Sequence, residues 1–479
     1  VPPAANSRDS IPGPSGAAAS PSGRRLAARL GLFDATMAVM GGIIGSGIFI
    51  NPYVVAEFVH TPGLILGVWV AGGAIALAGA FVYAELAARM PQVGGQYAYL
   101  REAYHPVIGF LYGWVELLVI GAGGTAATAV TFARYFHELA PAASREALVA
   151  VIVVALLTLI NCAGVRAGSG VQSLLMVLRI LAVGLVVACG AWLILHPAAE
   201  ARFSWSPALD RPVSFGLLTA IGATMVPVLF AYGGWQTTNY IASEIRDSRR
   251  TLPRALLLGV VGVVALYVAI NFVYVRVLAP AGLAGTTTPA SAVMRRALGG
   301  PGAALIAVAI AISTLGFLSQ AMLTYPRVYF AMAEDGVLPG RLARLSARSQ
   351  APVMAIALQG AMTIIVVLLG TFEQILSYVV VMDWLFFGLS ASCLFVFRAR
   401  ERRAAAQGAD PQPARGYRAP GHPWTTALFT AVAWLVVLNT IYKYPRNSAV
   451  AVCILLSGIP VYFWFRGRAS KGAGCVSRP

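Results

Sequence analysis

Two glycine clusters stand inside long apolar runs of this 479-residue chain: Gly41-Gly42-Ile43-Ile44-Gly45-Ser46-Gly47 and Tyr232-Gly233-Gly234-Trp235. Glycine costs about 1 kcal/mol in a helix interior, so clusters of this kind interrupt a helix rather than extend it. An interruption at membrane depth frees backbone N–H groups and carbonyls, which is tolerable only where they line a cavity or meet a ligand. Close helix packing through small residues is the competing reading of each cluster taken alone. Three ionisable residues, Glu116, Arg179 and Asp383, also fall within apolar runs. Each costs about 2.5–3.5 kcal/mol at the centre of a bilayer, so all three should face the protein interior or water. An ion pair of Arg179 with Glu116 or Asp383 and a functional role both stand open.

The elements that must position these groups follow from composition. The chain is 58% hydrophobic and only 11% charged, with mean hydropathy +0.75. Soluble domains carry about 25% charged residues, so an ordinary soluble protein is excluded, as are disordered, collagen-like and disulfide-scaffold classes. What remains is an all-α polytopic membrane protein. Apolar runs near 31–57, 62–88, 106–136, 146–164, 169–195, 215–243, 252–277, 301–332, 352–370, 374–397, 422–441 and 446–465 predict twelve transmembrane helices. An even number places both termini on one side. Arg24, Arg25 and Arg29, Arg246 to Arg254, and Arg398 to Arg403 crowd one set of loops, so both ends are expected in the cytoplasm. The net charge of +17 is therefore a topology signal rather than a nucleic-acid footprint. Residues 1–30 read as a disordered cytoplasmic tail without a cleavable signal peptide, and 466–479 as a second cytoplasmic tail.

The two clusters open the first and sixth spans. Residues 31–195 and 215–397 then form two five-helix halves, with helices 11 and 12 in 422–465 appended. Gly-broken spans at corresponding positions of two halves point to a transporter built on inverted repeats. No HExxH, GxSxG or P-loop pattern occurs, and His60, His105, His137, His196 and His422 lie at span ends or in loops, so no catalytic site, metal or cofactor is expected. Cys162, Cys189, Cys393 and Cys453 sit in apolar runs and Cys475 in the tail, too scattered for a disulfide framework or a metal site.

Four stretches, taken in order, give the chain a family likeness: GGIIGSGIFINP (Gly41 to Pro52), YAELAARMPQVGGQYAYLREAY (Tyr83 to Tyr104), FAYGGWQTTNYIASEIRD (Phe230 to Asp247) and LLSGIPVYFWFR (Leu455 to Arg466). On these residues it resembles the amino acid–polyamine–organocation (APC) superfamily of transporters, and within it the L-type amino acid transporter (LAT) family. The likeness runs over about residues 30–468. It implies a five-plus-five inverted repeat (the LeuT-like fold), with helices 1 and 6 discontinuous and two helices added. It implies amino acid transport, commonly by exchange and without sodium.

The resemblance also implies a site. Ser46 and Gly47 would offer N–H groups to a substrate carboxylate, helped by the positive end of the resumed helix, with Gly45 allowing close approach and Ile44 beside it. Carbonyls of Ile43, Phe230 and Gly233 would accept from the ammonium, with Ala231 next to Phe230. Phe230 matches the aromatic gate on the outer side. Trp235 and Gln236 would reach the substrate side chain. Gly233 stands where relatives selective for cationic substrates carry Asp, which favours neutral substrates. Asp383 stands where eukaryotic relatives carry Asn before Trp384, which favours cationic ones. Arg179 matches a frequent Lys and would replace a bound sodium ion. Because Arg holds its proton, Glu116 or Asp383 would carry any coupled proton. Ser313 and Thr314 lie where sodium-coupled relatives place hydroxyl ligands.

The expected function is alternating-access, sodium-independent exchange of neutral L-amino acids in the cell (plasma or inner) membrane. Alternatives are a cationic amino acid or polyamine exchanger, a proton-coupled symporter, and a transport-like nutrient receptor. Eukaryotic relatives pair with a glycoprotein through a Cys in the outer loop after the third span. The loop from His137 to Arg145 has none, so no disulfide-linked heavy chain is expected and a monomer is admissible.

Overall fold

The structure is a computed structural model that describes residues 30–91, 94–140, 145–163, 169–196, 205, 209–347, 351–407 and 417–473. Of the tails expected at 1–30 and 466–479, residues 1–29 and 474–479 lie outside the described residues, whereas Leu30 makes a bridge to Ile245 and the last helix runs on to Ala473. Among those described, the secondary structure is helical, with one isolated bridge between Leu30 and Ile245. Among the described residues, ten helical stretches are long and apolar enough to cross a membrane, and two more apolar helices, Glu146–Cys162 and Val353–Leu369, have 17 residues each. Large apolar side chains such as Leu159, Leu181, Leu369 and Phe463 stay exposed on the rim helices. Such a belt would be unfavourable in water and suits lipid.

The first apolar run is two helices, α1 (Leu32–Ile43) and α2 (Gly47–Phe58). Helical geometry stops at Ile44, whose ψ of 76° turns the chain, and α2 restarts from Ser46. After α3 (Pro62–Arg89), a short amphipathic α4 (Gln96–Ala103) lies outside the spans expected from hydropathy, because its mean composition is polar. The third span, α5 (Pro106–Val115) and α6 (Gly121–Leu139), is joined by a π turn at Glu116–Ile120. Helices α7 (Glu146–Cys162) and α8 (Ser169–Leu195) follow.

The sixth run breaks as the first does. Helix α9 (Phe215–Tyr232) ends where Gly233 turns extended and Gly234 takes φ 97°, a left-handed value that favours glycine. The chain resumes as a 3₁₀ segment, Trp235–Glu244. Then come α10 (Ser248–Ala284), α11 (Pro289–Thr324) and α12 (Pro326–Glu334), so the expected 301–332 span is divided at Tyr325–Pro326. Helices α13 (Val353–Leu369), α14 (Phe372–Ala406), α15 (Trp424–Lys443) and α16 (Pro445–Ala473) complete the fold. One group packs α10 against α3 and α1; another packs α11 and α13 against α6, with α7 against α13.

The two breaks meet backbone to backbone. A Cβ on Gly42 would lie 2.5 Å from the Gly234 carbonyl oxygen, and one on Gly47 would lie 2.6 Å from the Ala231 Cα. A Cβ on Gly234 would overlap the Gly42 carbonyl. At the ends of α3 and α14, Glu85 is fully buried and takes Arg89 and Arg398 at 2.6 Å each, plus the Ala419 N–H at 2.7 Å. Arg89 also pairs with Glu401. A buried carboxylate is tolerable here because every lone pair is occupied. The Glu85–Arg89 pair within α3 therefore extends to α14.

Gly234→Ala should be unrecoverable as a folded protein, or should melt far below wild type in detergent, because it combines left-handed strain with backbone overlap. Gly67→Ala, whose Cβ meets nothing within 4 Å, should melt within a few degrees of wild type. Glu85→Ala should lose about 3 kcal/mol, read from the same thermal melts, because the part-buried Arg398 loses its carboxylate and Arg89 keeps only Glu401.

Candidate functional site

The contact between the two breaks forms the wall of a cavity of about 550 Å³ of atom-free space, its open mouth included. The α1–α2 break contributes Gly42, Ile43, Gly45, Ser46 and Gly47, and the break after α9 contributes Phe230, Gly233, Gly234 and Gln236. The third span adds Ile120, Gly124 and Thr128, the α11–α12 region adds Phe317 and Tyr325, and α14 adds Val379, Val380, Asp383 and Trp384.

Local backbone chemistry follows from the breaks. Helix α2 starts at Gly47, so the N–H groups of its first turn have no intrahelical acceptor. Ser46 and Gly47 line the cavity, which puts this positive helix end at its wall. Ser46 Oγ accepts from Thr128 Oγ1 at 3.5 Å. On the carbonyl side, Ile43 O already accepts from Tyr267 Oη at 3.1 Å and from the Gly45 N–H at 2.7 Å. Phe230 O accepts from the Gly233 N–H at 3.1 Å. Gln236 Oε1 accepts from the Gly234 N–H at 3.0 Å, which braces the second break.

Arg179 is buried and holds the first break from behind. Its Nη1 donates to Gly41 O at 3.0 Å and Ile44 O at 2.7 Å, and its Nη2 donates to Ser313 O at 2.6 Å. The ion pair of Arg179 with Glu116 or Asp383 does not form; the planar guanidinium is spent on three backbone carbonyls instead. The guanidinium thus binds α8 to both α1 and α11. Thr314 Oγ1 bonds back to Ile310 O and Ala311 O, as a hydroxyl in a helix commonly does, and Ser313 Oγ has no partner.

Of the residues singled out from sequence, Ile43, Gly45, Ser46, Gly47, Phe230, Gly233, Gln236 and Asp383 line the cavity. Ile44, Ala231 and Trp235 do not. Ile44 presents its carbonyl to Arg179, and Ala231 packs on Gly47. Trp235 lies edge-on to Tyr83 at 4.7 Å and stacks on Phe387 at 5.3 Å, so it buttresses the break from the far side. Glu116 is fully buried, one helical turn from Ile120, with both carboxylate oxygens unpartnered. Asp383 Oδ1 is also unpartnered, and a Cβ on Gly233 would lie 3.8 Å from Asp383 Oδ2. Sequence reasoning missed Ile120, Gly124, Thr128, Phe317, Tyr325, Val379 and Val380. The small and hydroxyl residues Gly121, Gly124, Thr125 and Thr128, spaced three and four apart on α6, were the signal for one of these faces.

Residues 30–465 match the amino acid permease family. The chain belongs to that family, within the APC superfamily. It is a multi-pass membrane amino acid permease and not an enzyme. The large neutral amino acids transporter small subunit 2 of Mus musculus is 29% identical over 452 residues, covering 92% of this chain and 81% of that one. The serine/threonine exchanger SteT of Bacillus subtilis is 29% identical over 449 residues, covering 92% and 98%. The Asc-type amino acid transporter 1 of Homo sapiens is 29% identical over 447 residues, covering 91% and 81%.

Replacing Arg179 of this permease tests the pin. Arg179→Ala leaves three buried carbonyls unpaired, and substrate exchange should fall by about 100-fold with a clearly lower melting temperature. Arg179→Lys, a point charge without the planar fork, should recover part of the stability and less of the activity, measured side by side in detergent melts and liposome uptake.

Proposed function

We propose that this permease exchanges neutral L-amino acids across the cell membrane by alternating access, without sodium. The observation that carries the reading is the meeting of two helix breaks at one cavity. A helix start at Ser46 and Gly47 suits a carboxylate there. The carbonyls of the second break, Gly233 above all, retain lone pairs for an ammonium. Ile120, Phe317, Val379 and Val380 make much of the remaining wall apolar, which suits an apolar side chain. Phe230, half-buried beside the break, is read as the gate over the substrate. Relatives named as a large neutral amino acids transporter and a serine/threonine exchanger support the substrate class and the exchange mode.

In this reading, Arg179 takes the place of a sodium ion. It supplies a fixed cation to carbonyls of α1 and α11, beside the Ser313 hydroxyl. Residues 31–195 and 215–397 are read as two inverted repeats, the two 17-residue apolar helices as the fourth and ninth spans, and the total as twelve. The termini are read as cytoplasmic from the Arg clusters, and the protein as working without a disulfide-linked partner. Asp383, an acid on the cavity wall, favours a second reading in which cationic amino acids are carried.

Purified protein in liposomes should take up labelled neutral amino acids only when the lumen holds amino acid, at equal rates in sodium and choline buffers. Phe230→Ala should raise KM about tenfold or more through loss of the aromatic contact. Binding without uptake would point to a receptor, and sodium-dependent uptake would remove Arg179 from its assigned role.

A further inference from the structure

Arg246, Arg249, Arg250 and Arg254 fall within nine residues at the start of α10. All four are exposed, and none of their side chains makes a hydrogen bond or ion pair among the described residues. The acids of the same stretch do not neutralise them. Glu244 pairs with Arg327 at 3.5 Å, which leaves Asp247 alone against four arginines. Arginines on other elements are spent differently: Arg89, Arg101 and Arg398 each hold a carboxylate, and Arg400 holds two carbonyls. The start of a helix is also its positive end, where cations are disfavoured. No acidic residue stands in the first turn of α10, and its N-cap Asp247 makes no side-chain cap bond. An anion is what this arrangement lacks.

Arg250 and Arg254 head a single stripe of the helix. Leu258, Val261 and Ala265 continue it at spacings of four, three and four residues, and all three are exposed, Leu258 and Val261 by more than half. From Arg254 to Ala265 the stripe is about 16 Å long at helical rise, against a half-thickness of about 15 Å for the hydrocarbon core of a bilayer. Helix α1 runs beside α10 in the same direction. The Arg246 N–H donates to Leu30 O at 2.9 Å, and a Cβ on Gly259 would lie 2.6 Å from Val39 Cγ1. Leu32 and Phe33, exposed at the start of α1, add apolar surface near this end of α10. Orienting a chain in the membrane requires only that cations lie on one side. It does not require them to head an exposed apolar stripe one leaflet deep.

We propose that the start of α10 is a binding site for one anionic phospholipid, with Arg250 and Arg254 on its phosphate and its acyl chains along Leu258, Val261 and Ala265. The planar fork of a guanidinium donates two parallel N–H groups to phosphate oxygens. Arg246 and Arg249 add to the field that draws the head group. A zwitterionic lipid brings its own cation and so leaves the surplus uncancelled; an anionic one cancels it. The 3₁₀ segment of the second break ends at Glu244, and Ile245 is bridged to Leu30. The lipid therefore holds the chain just beyond the second break and, through the bridge, the start of α1. None of these residues lines the substrate cavity, so the inference stands apart from the choice of substrate.

The test uses the purified full chain in a neutral detergent, melted with added dioleoylphosphatidylglycerol, dioleoylphosphatidylcholine or inorganic phosphate. Phosphatidylglycerol should raise Tm by about 3 °C or more, and phosphatidylcholine with the same chains far less. High salt should shrink the difference, since the head-group contact is exposed to screening. The double variant Arg250→Gln, Arg254→Gln should melt like wild type without lipid, because neither side chain has a partner to lose, and should lose most of the phosphatidylglycerol shift. The double variant Arg402→Gln, Arg403→Gln, equally exposed at the end of α14, should keep that shift. Equal shifts from the two lipids would overturn the proposal. So would a shift that survives in the α10 variant or vanishes in the α14 variant. An equal shift from inorganic phosphate would reduce the site to an anion contact and remove the lipid from it. Should the α10 variant fail to fold, the comparison of the two lipids and phosphate on wild type decides alone.

Discussion

The contact between two interrupted helices is the constraint on which the rest of this permease depends. Gly42 and Gly234 touch carbonyl to backbone, and Gly47 touches Ala231. No side chain fits between them. That closeness brings the start of α2 and the backbone of the second break to one cavity. It also leaves backbone polar groups at membrane depth, where each must be satisfied. Arg179, Tyr267 and Gln236 meet that need from three elements, α8, α10 and the 3₁₀ segment itself.

The supports are of two kinds, and they act at different places. Around the breaks they are directional: a guanidinium fork on three carbonyls, a phenol on Ile43 O, and an amide returning to Gly234 N. Behind the breaks they are apolar and aromatic, with Trp235 held between Tyr83 and Phe387. Where α3 and α14 meet they are ionic, centred on buried Glu85. Glu85 is saturated by its partners and stays a structural charge. Glu116 and Asp383 form no ion pair among the described residues, and that difference separates them from Glu85.

Much of the architecture was legible in the linear order of residues. Apolar length and sparse charge announce membrane helices, because an unpaired peptide group in lipid leaves few other solutions. The glycine clusters marked both breaks, since an interrupted helix needs residues free of a Cβ. The π turn at Glu116, the short helix α4 and the division at Tyr325–Pro326 were not legible. Hydropathy averages over a window and passes over a one-residue insertion, a polar surface helix, or a proline at the start of a new helix.

The sequence by itself determined the class, the positions of the breaks and which charges lie inside the membrane, because each is a property of local composition. Tertiary structure alone decided what those groups meet. Arg179 could have paired with either acid by charge, and it met carbonyls because the breaks of α1 and the turn of α11 converge on its fork. Trp235 and Phe230 are five residues apart across one break, yet one faces the cavity and the other an aromatic stack, because the left-handed turn at Gly234 redirects the chain between them. Sequence spacing cannot specify such directions, since they depend on backbone angles that only packing against the other half of the molecule selects.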